Sequence, residues 1–281
     1  MRTGLAMLVG LLLMVTSQSL VVAGTQVKIV AAVPAARQLP IDQISHQAWN
    51  ELLGKYCDEQ GYVDYQGWQK SATDLQRLDA YLAHLAQANP TLSASTASKF
   101  AFWINAYNAV TIKGILREYP TTSIRNHTAK LVGYNIWDDL LLTVGGKDYS
   151  LNQMEHEVLR KQGDPRIHFA IVCASISCPP LLSEAYKAEK IDNQLTASAK
   201  RFFADPTKFV ATDDGQLKLS EILQWFAKDF GADQAAQLRT IAPFLPTAGA
   251  QALATSGRAR ISYLNYDWGL NDQATKKLSR R

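Results

Sequence analysis

The chain has 281 residues and a formal net charge of +4; 47% of its residues are hydrophobic and 19% are charged. These values are ordinary for a globular protein, and a chain of this length can bury a sizeable core as one large domain or two small ones. The mild charge, without a basic stripe, argues against a nucleic-acid partner.

Residues 1–23 have the pattern of a secretory signal peptide. Arg2 supplies a positive charge, residues 5–15 form an apolar run, and residues 21–23 offer a cleavage site. The alternative is an uncleaved membrane anchor, but the apolar run is short of the ~20 residues that a spanning helix needs. We therefore expect a periplasmic or secreted protein without stable membrane insertion after cleavage.

The remaining chain is predicted to consist of a linker, one domain and a tail. Residues 24–39, rich in alanine and valine, predict the linker, and residues 272–281 predict a basic, frayed tail. The domain is expected over residues 40–271. It begins with two amphipathic helical patterns, over residues 41–56 and 75–85.

A third helix, over residues 99–116, is apolar on nearly all sides, which predicts a central, buried position. Its exceptions are Asn105 and Asn108, which share one face. A buried amide without a partner costs a few kcal/mol, so both side chains need hydrogen bonds. The partner is either a neighbouring loop or a ligand, and the sequence leaves both alternatives open.

Residues 136–144 predict a strand, and Gly145 with Gly146 predicts a hairpin turn after it. Ser150 and Gln153 have the spacing of a capping box, which predicts a helix that runs to Arg160.

This helix carries an unusual polar pair. Glu155 falls within the arc of its apolar residues, and His156 lies on the flank of that arc. A carboxylate on a buried face needs a cation or hydrogen-bond donors, and Arg166 is one candidate for an ion pair.

Residues 164–181 read DPRIHFAIVCASISCPPL and hold two of the three cysteines. The apolar run over residues 167–172 predicts a buried strand, on which His168 and Cys173 face opposite sides. Pro179 predicts a helix that begins after Cys178, and a helix N-terminus there would lower the pKa of the Cys178 thiol.

The last third of the domain adds a second hairpin and several short helices. Asp213-Asp214-Gly215 predicts the turn of the hairpin, Ser220 predicts the N-cap of a helix over residues 221–230, and residues 261–264 predict a last strand. Helices dominate, with a small mixed or antiparallel sheet, so the predicted fold class is α+β.

These residue types permit thiol chemistry. Cys178 is the candidate nucleophile, His168 the candidate base and Glu155 the residue that would orient it, with His156 as a rival base. His168 could instead be a core histidine bonded to a backbone carbonyl.

The cysteines have two other interpretations. Three cysteines are an odd number for an oxidising compartment, and Cys173 with Cys178 could close a small disulfide loop. Zinc could bind these two cysteines with His168 and His156, but their spacing matches no usual zinc pattern. We therefore expect no metal. No glycine-rich phosphate loop is present, so we expect no cofactor either.

Five segments resemble, in order, the signature segments of the domain of unknown function 547 (DUF547) family, across residues 49–271: FWINAYNAV, SLNQMEHEVLR, DPRIHFAIVCASISCPPL, LSEILQWFAKDF and YLNYDWGLN. The resemblance implies a single domain of an exported bacterial protein. It carries the family's polar residues onto Asn105, Asn108, Glu155, His156, His168, Cys173 and Cys178. It also implies a distant likeness to papain-like cysteine hydrolases, although the order of histidine and cysteine is reversed here.

Two functions from different classes follow as hypotheses. The first is an exported cysteine hydrolase or transferase for a small amide, peptide or thiol substrate, in which Asn105, Asn108 and Cys173 bind substrate or stabilise an oxyanion. The second is a non-catalytic periplasmic binding or scaffold protein with a Cys173–Cys178 disulfide.

Overall fold

The structure, a computed structural model, describes residues 25–129 and 134–278. The predicted signal peptide lies outside these residues. Among the residues described, no helix is long and apolar enough to cross a membrane.

Within the described residues, helices form most of the regular structure and six short strands form two sheets, which confirms the predicted α+β class. The α-helices are α1 Gln47–Tyr56, α2 Tyr65–Lys70, α3 Ala72–Leu85, α4 Thr96–Glu118, α5 Leu151–Gln153, α6 Ile191–Phe203, α7 Ile222–Trp225, α8 Ala227–Phe230, α9 Gln234–Ile241, α10 Ala248–Thr255 and α11 Gln273–Leu278. The strands are β1 Val27–Lys28, β2 Leu140–Val144, β3 Lys147–Tyr149, β4 Phe209–Ala211, β5 Gln216–Ser220 and β6 Arg260–Leu264.

Each sheet has three strands and mixed pairing. In the first, β2 pairs in parallel with β1 and in antiparallel with β3, and the β2–β3 hairpin turns at Gly145 and Gly146 as predicted. In the second, β5 pairs in antiparallel with β4 and in parallel with β6. Because β1 lies within the predicted linker and α11 within the predicted tail, both segments contribute regular structure to the fold.

The centre of the fold is α4, which is buried along most of its length, as its composition predicted. Ser95 caps its N-terminus by accepting a hydrogen bond from the backbone N–H of Ser98. One apolar cluster surrounds α4, and a second lies between α6, the second sheet and α9. The second cluster includes Phe169, so residues 164–181 run between the two clusters.

The predicted strand over residues 167–172 is wrong. Asp164 caps a short 3-10 helix, Pro165–Phe169, and the chain then continues without regular structure to Cys178. A short apolar run indicates burial but does not distinguish strand from helix. Here side-chain packing buries the run, and it does not pair with a described strand. The helix predicted after Cys178 is also wrong, because residues 179–187 contain no helix.

Gly61 holds the chain close to residues 180–181. Its φ is +82°, and a Cβ atom at this position would lie 2.5 Å from both the Pro180 Cα and the Leu181 backbone nitrogen. We therefore expect Gly61→Ala to lower the free energy of unfolding by about 3 kcal/mol, through steric overlap and a strained backbone. Urea denaturation measures this change.

Gly249, in α10, is the matched control. An added Cβ meets nothing within 4 Å, and the backbone is helical. Gly249→Ala should therefore raise stability by about 0.5–1 kcal/mol. Equal effects of the two substitutions would contradict the close approach at Gly61.

Candidate active site

A cleft of about 250 Å³ lies beside the end of the segment 164–181. The predicted site residues that line it are Glu155, His156, His168, Cys173 and Cys178. The structure therefore brings five residues from two separate sequence segments to one surface. The rest of the lining is largely aromatic and includes Tyr107, Trp137, Trp225, Phe226, Tyr266 and Trp268.

Cys173 and Cys178 are bonded as a disulfide, with their Cα atoms 6.3 Å apart. The structure therefore contains the disulfide loop that the sequence left open as an alternative to a free thiol at Cys178. Ala174, within the loop that the disulfide closes, has a φ of 59°. A non-glycine residue in the left-handed region costs of order 1 kcal/mol, and such residues cluster at functional sites.

The third cysteine, Cys57, is free and buried. Burial raises the pKa of its thiol well above the ordinary value, so this thiol is unreactive in the folded protein.

Three hydrogen-bonding groups converge on the sulfur of Cys178. The backbone N–H of Cys173 donates to it at 3.0 Å, the Ser175 hydroxyl at 3.3 Å, and the Tyr266 hydroxyl lies at 3.2 Å. Donors that surround a sulfur stabilise a thiolate far more than a neutral thiol, because hydrogen bonds to a charged acceptor are stronger. These donors replace the helix N-terminus that the sequence predicted for this role.

His168 is buried, and its partner is Asp229. The imidazole Nε2 donates to Asp229 Oδ2 at 2.7 Å, and the ring stacks on Phe226 with centroids 4.1 Å apart. Arg160 donates to both carboxylate oxygens of Asp229, at 2.6 and 2.7 Å. The residue that orients His168 is therefore Asp229, and the predicted role of Glu155 as its partner is wrong.

The electrostatics favour a neutral imidazole. Burial lowers the pKa of His168 to about 4, although Asp229 acts in the opposite direction. The hydrogen bond from Arg160 lowers the pKa of Asp229, so this carboxyl is ionised at neutral pH. A neutral His168 with its proton on Nε2 leaves Nδ1 as the atom that can accept a proton.

Glu155 is buried, as predicted, within a π-helical stretch, Met154–Leu159, that continues α5. Such stretches are rare and occur often at functional sites. The hydroxyl of Tyr107 donates a weak hydrogen bond to Glu155 Oε2 at 3.4 Å. Burial raises the pKa of Glu155 to about 7, so the carboxyl can take up and release a proton near neutral pH.

The expected ion pair between Glu155 and Arg166 is absent from the described ion pairs. Arg166 instead pairs with Asp164 at 2.7 Å and with Asp192 at 2.8 Å.

His156 is exposed at the edge of the cleft. Its Nδ1 accepts a hydrogen bond from Arg160 at 3.0 Å. Partial burial and the charge of Arg160 lower the pKa of His156. Since Arg160 occupies Nδ1, only Nε2 of this residue is left to face a substrate.

Asn105 and Asn108 contact backbone, and neither is among the described residues that line the cleft. Asn108 donates to the carbonyl of Ala170 at 3.0 Å and accepts from the N–H of Val172 at 2.9 Å. Asn105 makes the same pair of bonds with Tyr186, at 2.8 and 3.0 Å. Each amide therefore holds a chain segment that lacks a strand partner, and Asn108 fixes the residues directly before Cys173.

Three aromatic residues of the cleft, and the partner of His168, had no assigned role in the sequence. Asp229 and Trp225 lie within LSEILQWFAKDF, and Tyr266 and Trp268 lie within YLNYDWGLN, so the resemblance did mark both segments. The predicted helix over residues 221–230 is interrupted at Phe226, and this break turns Phe226 towards His168. Among the described residues, no group of three or more His, Cys, Asp or Glu side chains is placed to hold a metal ion.

Residues 91–203 match the model of a family described as protein of unknown function, DUF547. The match confirms the predicted resemblance, and it spans α4, the π-helical stretch and both bonded cysteines. Asp229 and Tyr266 lie beyond it. No curated protein and no solved structure matches the chain, and the likeness to papain-like hydrolases stays a prediction.

Proposed function

Starting from the match to the DUF547 family and the geometry of the cleft, we propose that the protein is a cysteine-dependent hydrolase or transferase. Its substrate would be a small amide, peptide or thiol compound. One observation carries the proposal: Cys178 and His168 line the same cleft, and the imidazole of His168 is hydrogen-bonded to Asp229. Nucleophile, base and orienting carboxylate are the three roles that thiol hydrolysis needs.

The disulfide is the resting form in this proposal, and a reductant of the dithiol class must open it. The dithiol is oxidised to its own disulfide, while Cys173 and Cys178 each gain one electron and one proton. Cys178 then passes its proton to His168 Nδ1, and the sulfur attacks the acyl carbon of the substrate. The leaving group takes that proton from His168. Water, or an acceptor amine, then gives a proton to His168 Nδ1 and attacks the acyl carbon, and the departing Cys178 thiolate takes that proton back from His168.

The Ser175 and Tyr266 hydroxyls lie beside both sulfurs, so the group that favours Cys178 over Cys173 is the Cys173 N–H, which donates to the Cys178 sulfur. The donors Cys173 N–H, Ser175 and Tyr266 would stabilise the thiolate of Cys178 once the disulfide is open. The buried carboxyl of Glu155 would supply a second proton donor in the same cleft, since its pKa is about 7.

A second function is favoured by the disulfide itself. A bonded Cys178 cannot attack a substrate, and disulfides persist in exported proteins. The protein would then be a non-catalytic binding or scaffold protein of the periplasm or the extracellular space.

Alkylation of Cys178 separates the two functions. The Cys173→Ser protein has a free Cys178 without any reductant, and we expect iodoacetamide to label it at pH 7 roughly ten times faster than a cysteine in an unstructured peptide. Intact mass spectrometry follows the reaction. Asp229→Asn in the same background should slow the labelling, because an amide lacks the carboxylate charge and can donate to Nε2, which selects the other tautomer of His168.

The matched control is Cys178→Ser, which leaves Cys173 as the free thiol of the loop. It should react no faster than the peptide, and buried Cys57 should stay unlabelled in every variant. If Cys178 in the Cys173→Ser protein is no more reactive than the peptide, the enzyme proposal fails and the binding function remains.

A further inference from the structure

The walls of the cleft present an unusual amount of accessible aromatic surface. Trp225 is 45% exposed, although tryptophan usually buries most of its area. Its ring stacks on Trp268 with centroids 5.7 Å apart and an interplanar angle of 23°. Tyr266 packs against both rings, at 4.8 and 4.5 Å. The three rings form a continuous platform, and the thiol chemistry proposed above uses the Tyr266 hydroxyl but gives the faces of the rings no role.

The charges around this platform have both signs, with Arg125 over the Trp268 ring and carboxylates near Tyr266. Of the described residues that line the cleft, none is Lys or Arg, and Glu155 is the carboxylic acid among them. Burial is the main cause that raises the pKa of Tyr266, and the charges of Glu155, Glu221 and Asp267 raise it further. A ligand that enters the cleft meets one carboxylic acid, Glu155, together with electron-rich rings.

Two arginines near the walls show that such rings accept cations over their faces. Arg125 lies over Trp268 with its guanidinium 5.2 Å from the ring centroid, and Arg160 lies over Phe226 at 5.3 Å. Neither is among the described residues that line the cleft, and the charge of Arg160 is neutralised by Asp229. The rings of the walls therefore already take part in cation–π contacts.

We propose that the cleft binds the alkylammonium group of a ligand on the platform of Trp225, Tyr266 and Trp268, with Glu155 as its counter-charge. Aromatic platforms with a nearby carboxylate recognise quaternary ammonium groups and protonated amines by cation–π attraction. The further statement that this ligand is the substrate of the enzyme rests on the proposed function. Binding itself requires no reaction at Cys178.

Choline and its uncharged carbon analogue, 3,3-dimethyl-1-butanol, test the proposal because they have the same shape and differ in charge. At pH 8.5, where Glu155 is ionised, titration calorimetry and tryptophan fluorescence should show saturable binding of choline to the oxidised protein, and at least tenfold weaker binding of the analogue. Butylamine and 1-butanol form a second pair, which distinguishes a protonated amine from a quaternary group.

Variants locate the site. Trp225→Ala should weaken choline binding at least tenfold, and Glu155→Gln at least threefold. Tyr263→Ala is the matched control, because Tyr263 is also exposed but does not line the cleft. Its affinity for choline should equal that of the wild type.

Several results would overturn the inference. They are equal affinities for choline and its analogue, no saturable binding of either charged probe up to about 10 mM, or binding that survives Trp225→Ala. The Cys178→Ser protein separates this inference from the proposed function. If the Cys178→Ser protein still binds choline, the cation site is supported. If, in addition, Cys178 is not labelled rapidly in the Cys173→Ser protein, the enzyme proposal is rejected while the cation site stands.

Discussion

Glu155→Gln is expected to become more stable relative to the wild type by about 3 kcal/mol as the pH rises from 4.5 to above 7. The reason is the buried carboxyl, whose pKa rises from an ordinary 4.5 to about 7 in the folded protein. Between these values the folded wild type binds a proton that the unfolded chain has released. Its stability therefore falls as the pH rises through this window, whereas glutamine has no charge to bury at any pH.

His168 shifts in the opposite direction and supplies the control. Its pKa falls from 6.5 to about 4 on folding, so the stability that it contributes is lost as the pH falls from 6.5 to 4. In the wild type the two trends oppose each other between about 4.5 and 6.5. His168→Gln should therefore lose stability relative to the wild type as the pH rises through that range.

Urea denaturation of the three proteins at half-unit pH intervals measures these differences. A constant difference between Glu155→Gln and the wild type from pH 4.5 to 8 would mean that Glu155 titrates as an exposed carboxyl does. The conclusion that Glu155 is buried, and can therefore donate a proton in the cleft near neutral pH, would then be wrong.

The second large effect is expected for Asn108→Ala, which should lower the free energy of unfolding by about 4 kcal/mol. The substitution leaves two buried backbone groups, the Ala170 carbonyl and the Val172 N–H, without the partners that Asn108 provides. No neighbouring strand can replace these bonds, because the segment has none. Cys173 follows Val172 directly, so we also expect slower alkylation of Cys178 in the Cys173→Ser background.

Thr111→Val on the same helix is the matched control. The Thr111 hydroxyl donates to the carbonyl of Tyr107 one turn earlier, and that carbonyl keeps its helical hydrogen bond when the hydroxyl is removed. A loss of about 1 kcal/mol or less is expected in urea denaturation. If Asn108→Ala costs no more than this, the amide does not hold the segment.

Local patterns predicted much of the fold. The burial of α4, the hairpins at Gly145–Gly146 and Asp213–Gly215, and the capping box of Ser150 and Gln153 are all confirmed. The helix α4 extends beyond the predicted residues 99–116 at both ends. Each depends on residues close in sequence, where spacing and turn chemistry carry the information. The segment 164–181 was mispredicted because its burial comes from tertiary packing, which periodicity does not reveal.

The candidate site was predicted in part, for the same reason. Residue types identified Cys178, His168 and Glu155, and burial of the carboxyl followed from its place on the helix. The partner of His168 is Asp229, which lies 61 residues away, and no local pattern connects the two. The sequence does not show which acidic residue, Glu155 or Asp229, pairs with His168, whereas the hydrogen bond in the structure identifies Asp229.

The position of Tyr266 beside the disulfide loop has a consequence for synthesis of the protein. Residues 266–272 hold the loop through backbone bonds from Ile176 to Gly269 and from Ser177 to Asp267, and Asn271 also accepts a bond from Tyr65, 206 residues earlier. Contacts this distant in sequence form only after the intervening chain has been made. A nascent chain therefore carries both cysteines long before the cleft exists, and the cleft is complete only when residues 266–272 have left the ribosome.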